Sequence, residues 1–187
     1  MSQIKVLGIC GSLRVKSVNR NVLRAAAEVM PPSMRPTITH LDGIPLYNQD
    51  VMDKAVPEAV VQLAAEIRAA DAVLIASPEY NYSVSGVLKN AIDWMSRVPD
   101  QPFKDKPVAI MSAAPGLMGG GRGQYDLRKI LSGLEALLLQ KPEVIINLAG
   151  PKFDAEGALI DATSRKAVTD QMLAFERWIK RVALMKQ

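Results

Sequence analysis

The sequence predicts an α/β fold in which an open, doubly wound parallel sheet carries helices on both faces. Two features predict it. Short runs rich in β-branched and other apolar residues alternate along the chain with longer segments whose apolar residues recur at helical spacing. The strand-like runs are also apolar almost throughout, a pattern that suits a sheet covered on both faces. A length of 187 residues, with 49% hydrophobic and 22% charged, suits one compact core, so residues 1–187 are expected to form a single domain.

The elements follow in order. "IKVLGI" (4–9) reads as the first strand, and Val22, Leu23, Ala26, Ala27 and Met30 mark one stripe of the helix after it. "PTITHL" (36–41) is the second strand, followed by the one long connection (41–57) and a helix carrying Val60, Leu63, Ala64 and Ile67. "AVLIAS" (72–77) is the third strand, and Val84, Val87, Leu88, Ala91, Ile92 and Met95 form the stripe of the third helix. "PVAIMSA" (107–113) precedes a fourth helix over roughly 124–139, and "EVIINLA" (143–149) precedes a fifth over roughly 164–185 with Val168, Met172, Phe175, Ile179 and Val182 inward. Right-handed crossovers leave few ways to wind five such units. The expected arrangement is the five-stranded flavodoxin-like order 2-1-3-4-5.

Composition narrows the function classes. The longest apolar runs fall well short of a membrane span. "MSQIKVLGIC" enters a strand with no separate cleavable apolar region, and the single cysteine, Cys10, excludes an internal disulfide; both suit a cytoplasmic protein. The net charge of +4 comes from dispersed cations, which disfavours a nucleic-acid footprint but leaves room for a patch that holds a small anion.

In a sheet of this order, ligands sit beyond the carboxyl ends of the strands, between strands one and three. The loops at 10–19 and 77–86 fall there. The first, "GSLRVKSVN", feeds a helix N-terminus whose unpaired N–H groups favour a phosphate; Ser12, Ser17 and Asn19 can add hydrogen bonds and Arg14 a charge-assisted one. The competing reading is that Ser17 or Asn19 caps the helix and Arg14 is solvated. In "SPEYNYSVSGVLKNAIDW" (77–94), Pro78 and the small residues Ser83, Ser85 and Gly86 allow a rigid turn close to a flat ligand, with main-chain amides suited to a heteroaromatic edge such as that of a flavin. Tyr80 and Tyr82 read equally as loop-anchoring aromatics, and Glu79 as a surface acid.

Other phosphate loops fit less well. Neither G-x-x-x-x-G-K-[ST] nor G-x-G-x-x-G follows the first strand. A cysteine phosphatase places its thiolate six residues before an arginine; Lys16 stands at that spacing from Cys10, and lysine lacks the planar fork that grips a phosphoryl group. Cys10 reads better as a small buried residue at a strand end. His40 has no cluster of ligating residues around it, so no metal site is expected, and no pair of groups suggests acid–base chemistry by the protein.

Together, "GSLRVKSVN", "SPEYNYSVSGVLKNAIDW" and "GGGRGQYDLRKIL" resemble the NADPH-dependent FMN reductase family, in particular its bacterial quinone- and chromate-reducing members. The resemblance covers nearly the whole chain. It implies a flavodoxin-like FMN-binding domain, non-covalent FMN, NADPH or NADH as electron donor, small-molecule acceptors, and dimers or tetramers. It also implies that Ser12, Arg14, Ser17, Val18 and Asn19 hold the FMN phosphate. Pro78, Glu79, Tyr80 and Asn81 would line the ribityl chain and ring system, mostly through main-chain atoms, with Ser112 closing the site. Lys16, Arg20, Tyr82 and Gly116 are candidates for contact with the nicotinamide cofactor or acceptor, Lys16 or Arg20 facing a 2′-phosphate. The reaction expected has two halves: NAD(P)H reduces FMN and leaves, and a quinone then takes two electrons in the same cleft, with chromate, azo and nitro compounds as further acceptors. The glycine-rich "GLMGGG" (116–121) departs from the family and is expected to loosen that loop. A flavodoxin-type electron carrier is the main alternative, although such carriers usually have an acidic surface.

One expectation concerns assembly. On the third helix Trp94 lies about a quarter-turn off the apolar stripe, and "LEALLLQ" (134–140), read as the end of the fourth helix, carries leucines on more than one face. A homodimer or tetramer through these helices is expected to cover both and to bring the partner's "YNQD" (47–50) over the site. The alternative is that long loops of the same chain cover them.

Overall fold

The computed structural model of the protein describes residues 3–185. From the N-terminus its elements are β1 (Ile4–Cys10), α1 (Val18–Val29), β2 (Met34–Thr39), the single-turn α2 (Gln49–Met52) and α3 (Glu58–Ala69). Next come β3 (Ala72–Ala76), the two-residue strands β4 (Glu79–Tyr80) and β5 (Ser83–Val84), α4 (Gly86–Met95) and β6 (Pro107–Ala113). The chain ends in α5 (Gly121–Gly133), the short β7 (Leu137–Leu138) and β8 (Val144–Ile146), and α6 (Ala162–Met185).

The main sheet is parallel and runs β2-β1-β3-β6, with its last position shared by two short strands. β7 pairs with the start of β6 at Pro107 and Val108, and β8 with its end at Met111 to Ala113. This is the predicted order 2-1-3-4-5. Alternate strand residues face opposite layers: Leu7, Ile9, Val73, Ile75, Val108 and Ile110 pack in one cluster with residues of α3, α4 and α5. Val6, Cys10, Leu74, Ala76, Ala109 and Met111 join α1 and α6 in the other. Burial on both faces is why these strands read as continuous apolar runs.

The structure corrects four expectations. β2 begins two residues earlier than predicted, and Val84 belongs to β5, because Ser85 caps α4 and sets the start of that helix at Gly86. The predicted fourth helix runs too far: α5 stops at Gly133, Glu135 takes a left-handed φ of 57°, and the chain extends into β7. The leucines of 134–140 therefore point to more than one side because a strand alternates its side chains; Leu138 and Leu139 are buried in opposite layers of the core. Trp94 is fully buried. Its indole N–H donates to the Pro45 carbonyl at 2.8 Å, and Tyr47 packs edge-on at a centroid distance of 5.0 Å. The chain's own 44–48 segment covers it, and both sequence grounds for pairing through α4 and α5 fall away.

Candidate functional site

The carboxyl ends of β1, β3 and β6 present three loops, and buried polar side chains fasten them together. Asn19, on the first turn of α1, donates its amide to the Ala113 carbonyl and accepts the Ala113 N–H, both at 2.9 Å. Ser85 donates to the Gly11 carbonyl at 2.6 Å while capping α4. A Cβ on Gly11 would lie 3.1 Å from Leu88 and 3.2 Å from Pro78, tighter than ordinary contact, so glycine suits the close approach of these loops. Ser112 donates to the Gly119 carbonyl at 2.7 Å and accepts from Gln124 at 2.8 Å. Gly120 has φ +91°, and a Cβ there would sit 2.7 Å from that of Ser112. The glycines at 119 and 120 thus serve close approach of this loop to Ser112 and to the chain at 145–147.

The first loop keeps its donors unsatisfied. Ser17 caps α1 by accepting the Asn19 N–H, and the first turn of the helix contains no acidic residue. Among the described residues, the main-chain N–H groups of Leu13, Val15, Lys16 and Val18 have no acceptor, and the exposed side chains of Arg14 and Lys16 have no hydrogen bond or ion pair. Ser12 is buried and accepts the Arg14 N–H at 3.3 Å. Arg20 behaves differently: it reaches the Leu13 carbonyl at 3.5 Å and Asp42 at 3.8 Å, bracing the loop from behind.

The second loop is the β4–β5 hairpin. Its two central residues, Asn81 and Tyr82, have φ of 50° and 70°, and Tyr80 and Tyr82 are exposed. Pro78 is buried beneath it. The side chain of Glu79 turns towards α5, and Ser83 donates to Asp126 at 2.7 Å.

The Ser83 hydroxyl, followed by Lys129, holds Asp126 below the usual carboxylate range. A lowered folded-state value means the stabilisation is present above the unfolded value of about 4 and is lost as the pH falls through the lower folded one. Asp126→Asn is therefore expected to reduce stability at pH 6, with the deficit shrinking as the pH falls below about 4; denaturant midpoints on either side of that value check it.

A profile of the NADPH-dependent FMN reductase family matches residues 4–150. The chain is 50% identical over 179 residues to an NAD(P)H-dependent FMN reductase of Pseudomonas aeruginosa, covering 96% of this chain and 97% of that one. The chain belongs to the NADPH-dependent FMN reductase family. It is also 43% identical over 185 residues to the quinone reductase of Escherichia coli, covering 97% of this chain and 98% of that one. Among solved structures, FerB, a flavoenzyme NAD(P)H:(acceptor) oxidoreductase of Paracoccus denitrificans, superposes with a TM-score of 0.87 at 32% identity, covering 95% of this chain and 98% of that one.

Against that family fold, the phosphatase alternative loses its chemistry. Burial pushes the Cys10 thiol above its ordinary range, outweighing the Ser12 N–H and the Arg20 guanidinium, which favour a thiolate. Among the described residues no cluster of His, Cys, Asp and Glu suits a metal ion, and no helix is long and apolar enough to cross a membrane. The residues sequence reasoning missed are Ser85 as a tie between loops, Gln124, Asp126 and Arg122. Gln124 carried a signal: a polar residue three before the buried Leu127 falls on the inward stripe of α5.

Proposed function

We propose that this chain is an FMN-dependent NAD(P)H oxidoreductase that reduces quinones by two-electron transfer. The observation that carries the reading is the set of unpartnered N–H groups at Leu13, Val15, Lys16 and Val18 beside the free cations Arg14 and Lys16. Such a set fits the terminal phosphate of FMN: a helix N-terminus with no acid in its first turn, several unpartnered donors on the short loop before it, and charge to spare. Bound FMN supplies the hydride acceptor and two-electron donor that the side chains lack. Arg14, Lys16 and the main chain grip the phosphate, Lys16 serving it in place of the nicotinamide 2′-phosphate that the resemblance assigns to it, with Ser12 and Ser17 shaping the loop. Asn19 and Ser112 have their polar atoms committed to Ala113, Gly119 and Gln124, so they hold the loops in place. Pro78 to Asn81 offer main-chain groups to the ring system, and Tyr82 and Gly116 stand at the rim where nicotinamide and acceptor exchange.

The names of the Pseudomonas and Escherichia relatives support NAD(P)H as donor and a quinone as acceptor. Chromate, azo and nitro compounds are further acceptors in this reading. Residues 1–187 act as one FMN-binding domain in the cytoplasm. A homodimer or tetramer, formed through surfaces other than Trp94 and 134–140, completes the proposal. The exposed rim residues Tyr80, Tyr82, Leu117, Met118 and Tyr125 support such an assembly. The decisive experiment is steady-state NAD(P)H oxidation with a quinone by the FMN-loaded protein, its mass measured by light scattering. Parallel double-reciprocal lines are expected, since one cleft serves both substrates in turn. Intersecting lines overturn the shared cleft, a monomer mass overturns the assembly, and failure to oxidise NAD(P)H leaves an electron carrier.

A further inference from the structure

We propose that Glu79 is a positioning residue: by docking the β4–β5 hairpin onto α5, its carboxylate holds the Pro78–Tyr82 main chain in the shape that receives the flavin. The inference rests on the FMN reading of the cleft. Glu79 belongs to the stretch expected to line the cofactor, yet its side chain points elsewhere. Its Oε2 accepts the Gly123 N–H at 3.1 Å, and its Oε1 lies 3.6 Å from Arg122 Nη1.

α5 needs that carboxylate. Its N-cap is Gly120, which has no side chain to offer, and its first turn contains no acidic residue. The first N–H groups of a helix require outside acceptors, and a carboxylate suits the positive end of the helix dipole. Glu79 supplies both from another element.

The hairpin needs α5 in turn. Two strands of two residues each do not hold their shape alone. Its turn also places the non-glycine residues Asn81 and Tyr82 in the left-handed region, at φ 50° and 70°. Four contacts dock it on α5: Glu79 to Gly123 and to Arg122, Ser83 to Asp126 at 2.7 Å, and the Arg122 guanidinium 4.2 Å above the Tyr82 ring. The fit is close, because a Cβ on Gly123 would lie 3.1 Å from the Ser83 carbonyl and 3.4 Å from Glu79 Cα.

The test titrates FMN into apoprotein and follows flavin fluorescence, with hydrogen exchange of the flavin-free 79–84 amides as a second readout. Glu79→Ala is expected to weaken FMN binding by about tenfold or more and to speed that exchange. In Glu79→Gln the carboxamide oxygen still accepts from Gly123, and most of the affinity returns. Gly123→Ala presses a methyl group against the Ser83 carbonyl, 3.1 Å away, and the Glu79 Cα and Cβ, 3.4 Å away, while keeping the carboxylate in the chain, and is expected to weaken binding as well. Equal affinity for FMN in the unmutated protein and Glu79→Ala overturns the inference, as does a lower apoprotein melting temperature with affinity and exchange unchanged. If Glu79→Ala fails to fold, Glu79→Gln and Gly123→Ala decide: the inference falls if Gly123→Ala binds FMN normally. Failure of the unmutated protein to bind FMN overturns the cofactor reading instead.

Discussion

Trp94→Ala is expected to destabilise the protein by about 3–5 kcal/mol, the usual range for deleting a buried aromatic side chain. The indole is fully enclosed, and three losses add up: its apolar area, the packing with Tyr47, and one of the two donors to the Pro45 carbonyl. Asn90 fastens the same segment by donating to Pro45 and accepting the Tyr47 N–H, both at 2.8 Å, so the covering loop should stay close and collapse only partly into the cavity. Urea denaturation checks the size. Its dependence on protein concentration checks the location, because a side chain covered by its own chain gives a loss that does not change on dilution. A loss below about 1 kcal/mol would mean that the 44–48 segment does not seal the core.

The double variant Arg14→Ala, Lys16→Ala is expected to lose FMN affinity by roughly a hundredfold to ten-thousandfold and to leave the fold intact. Each charge-assisted hydrogen bond contributes about 1.5–3 kcal/mol, and two that share one phosphate combine without strict additivity. Both side chains are exposed and unpartnered within the described chain, so their removal breaks nothing that holds the structure. Raising the salt concentration should weaken binding in the unmutated protein more than in the variant. Arg20→Ala is the contrasting control: it removes a brace behind the loop, and its effect should appear in stability as well as affinity. FMN titration and apoprotein melting, run side by side, separate the two cases. Unchanged affinity in the double variant removes both cations from the phosphate site.

Much of this was legible in the sequence, because the strands of a doubly covered sheet and the stripes of its helices leave strong apolar patterns. The strand order, and with it the place of the loops at 10–19 and 77–86 beyond the carboxyl ends of strands one and three, came from those patterns. The misreadings share a cause: local pattern cannot see tertiary cover. "LEALLLQ" has the composition of a helix, but the break after Gly133 and pairing with β6 make it an edge strand. Trp94 looks stranded on its helix until the distant Pro45 and Tyr47 arrive. For Asn19 and Glu79, the side-chain bonds are out of reach of local pattern. The bonds that define them run to Ala113 and Gly123, 94 and 44 residues away along the chain. Cofactor identity lay beyond pattern altogether and came from motifs.

The two margins of the sheet are both interrupted. On one side β2 contains Pro36, which has no N–H to offer; on the other, the chain leaves the ladder between Leu138 and Val144. Neither side presents the long, unbroken row of donors and acceptors that lets one molecule template the next into a growing stack. Concentrated solutions should accordingly resist fibril formation and edge-to-edge precipitation, and any association between copies would be left to helix faces and loop rims.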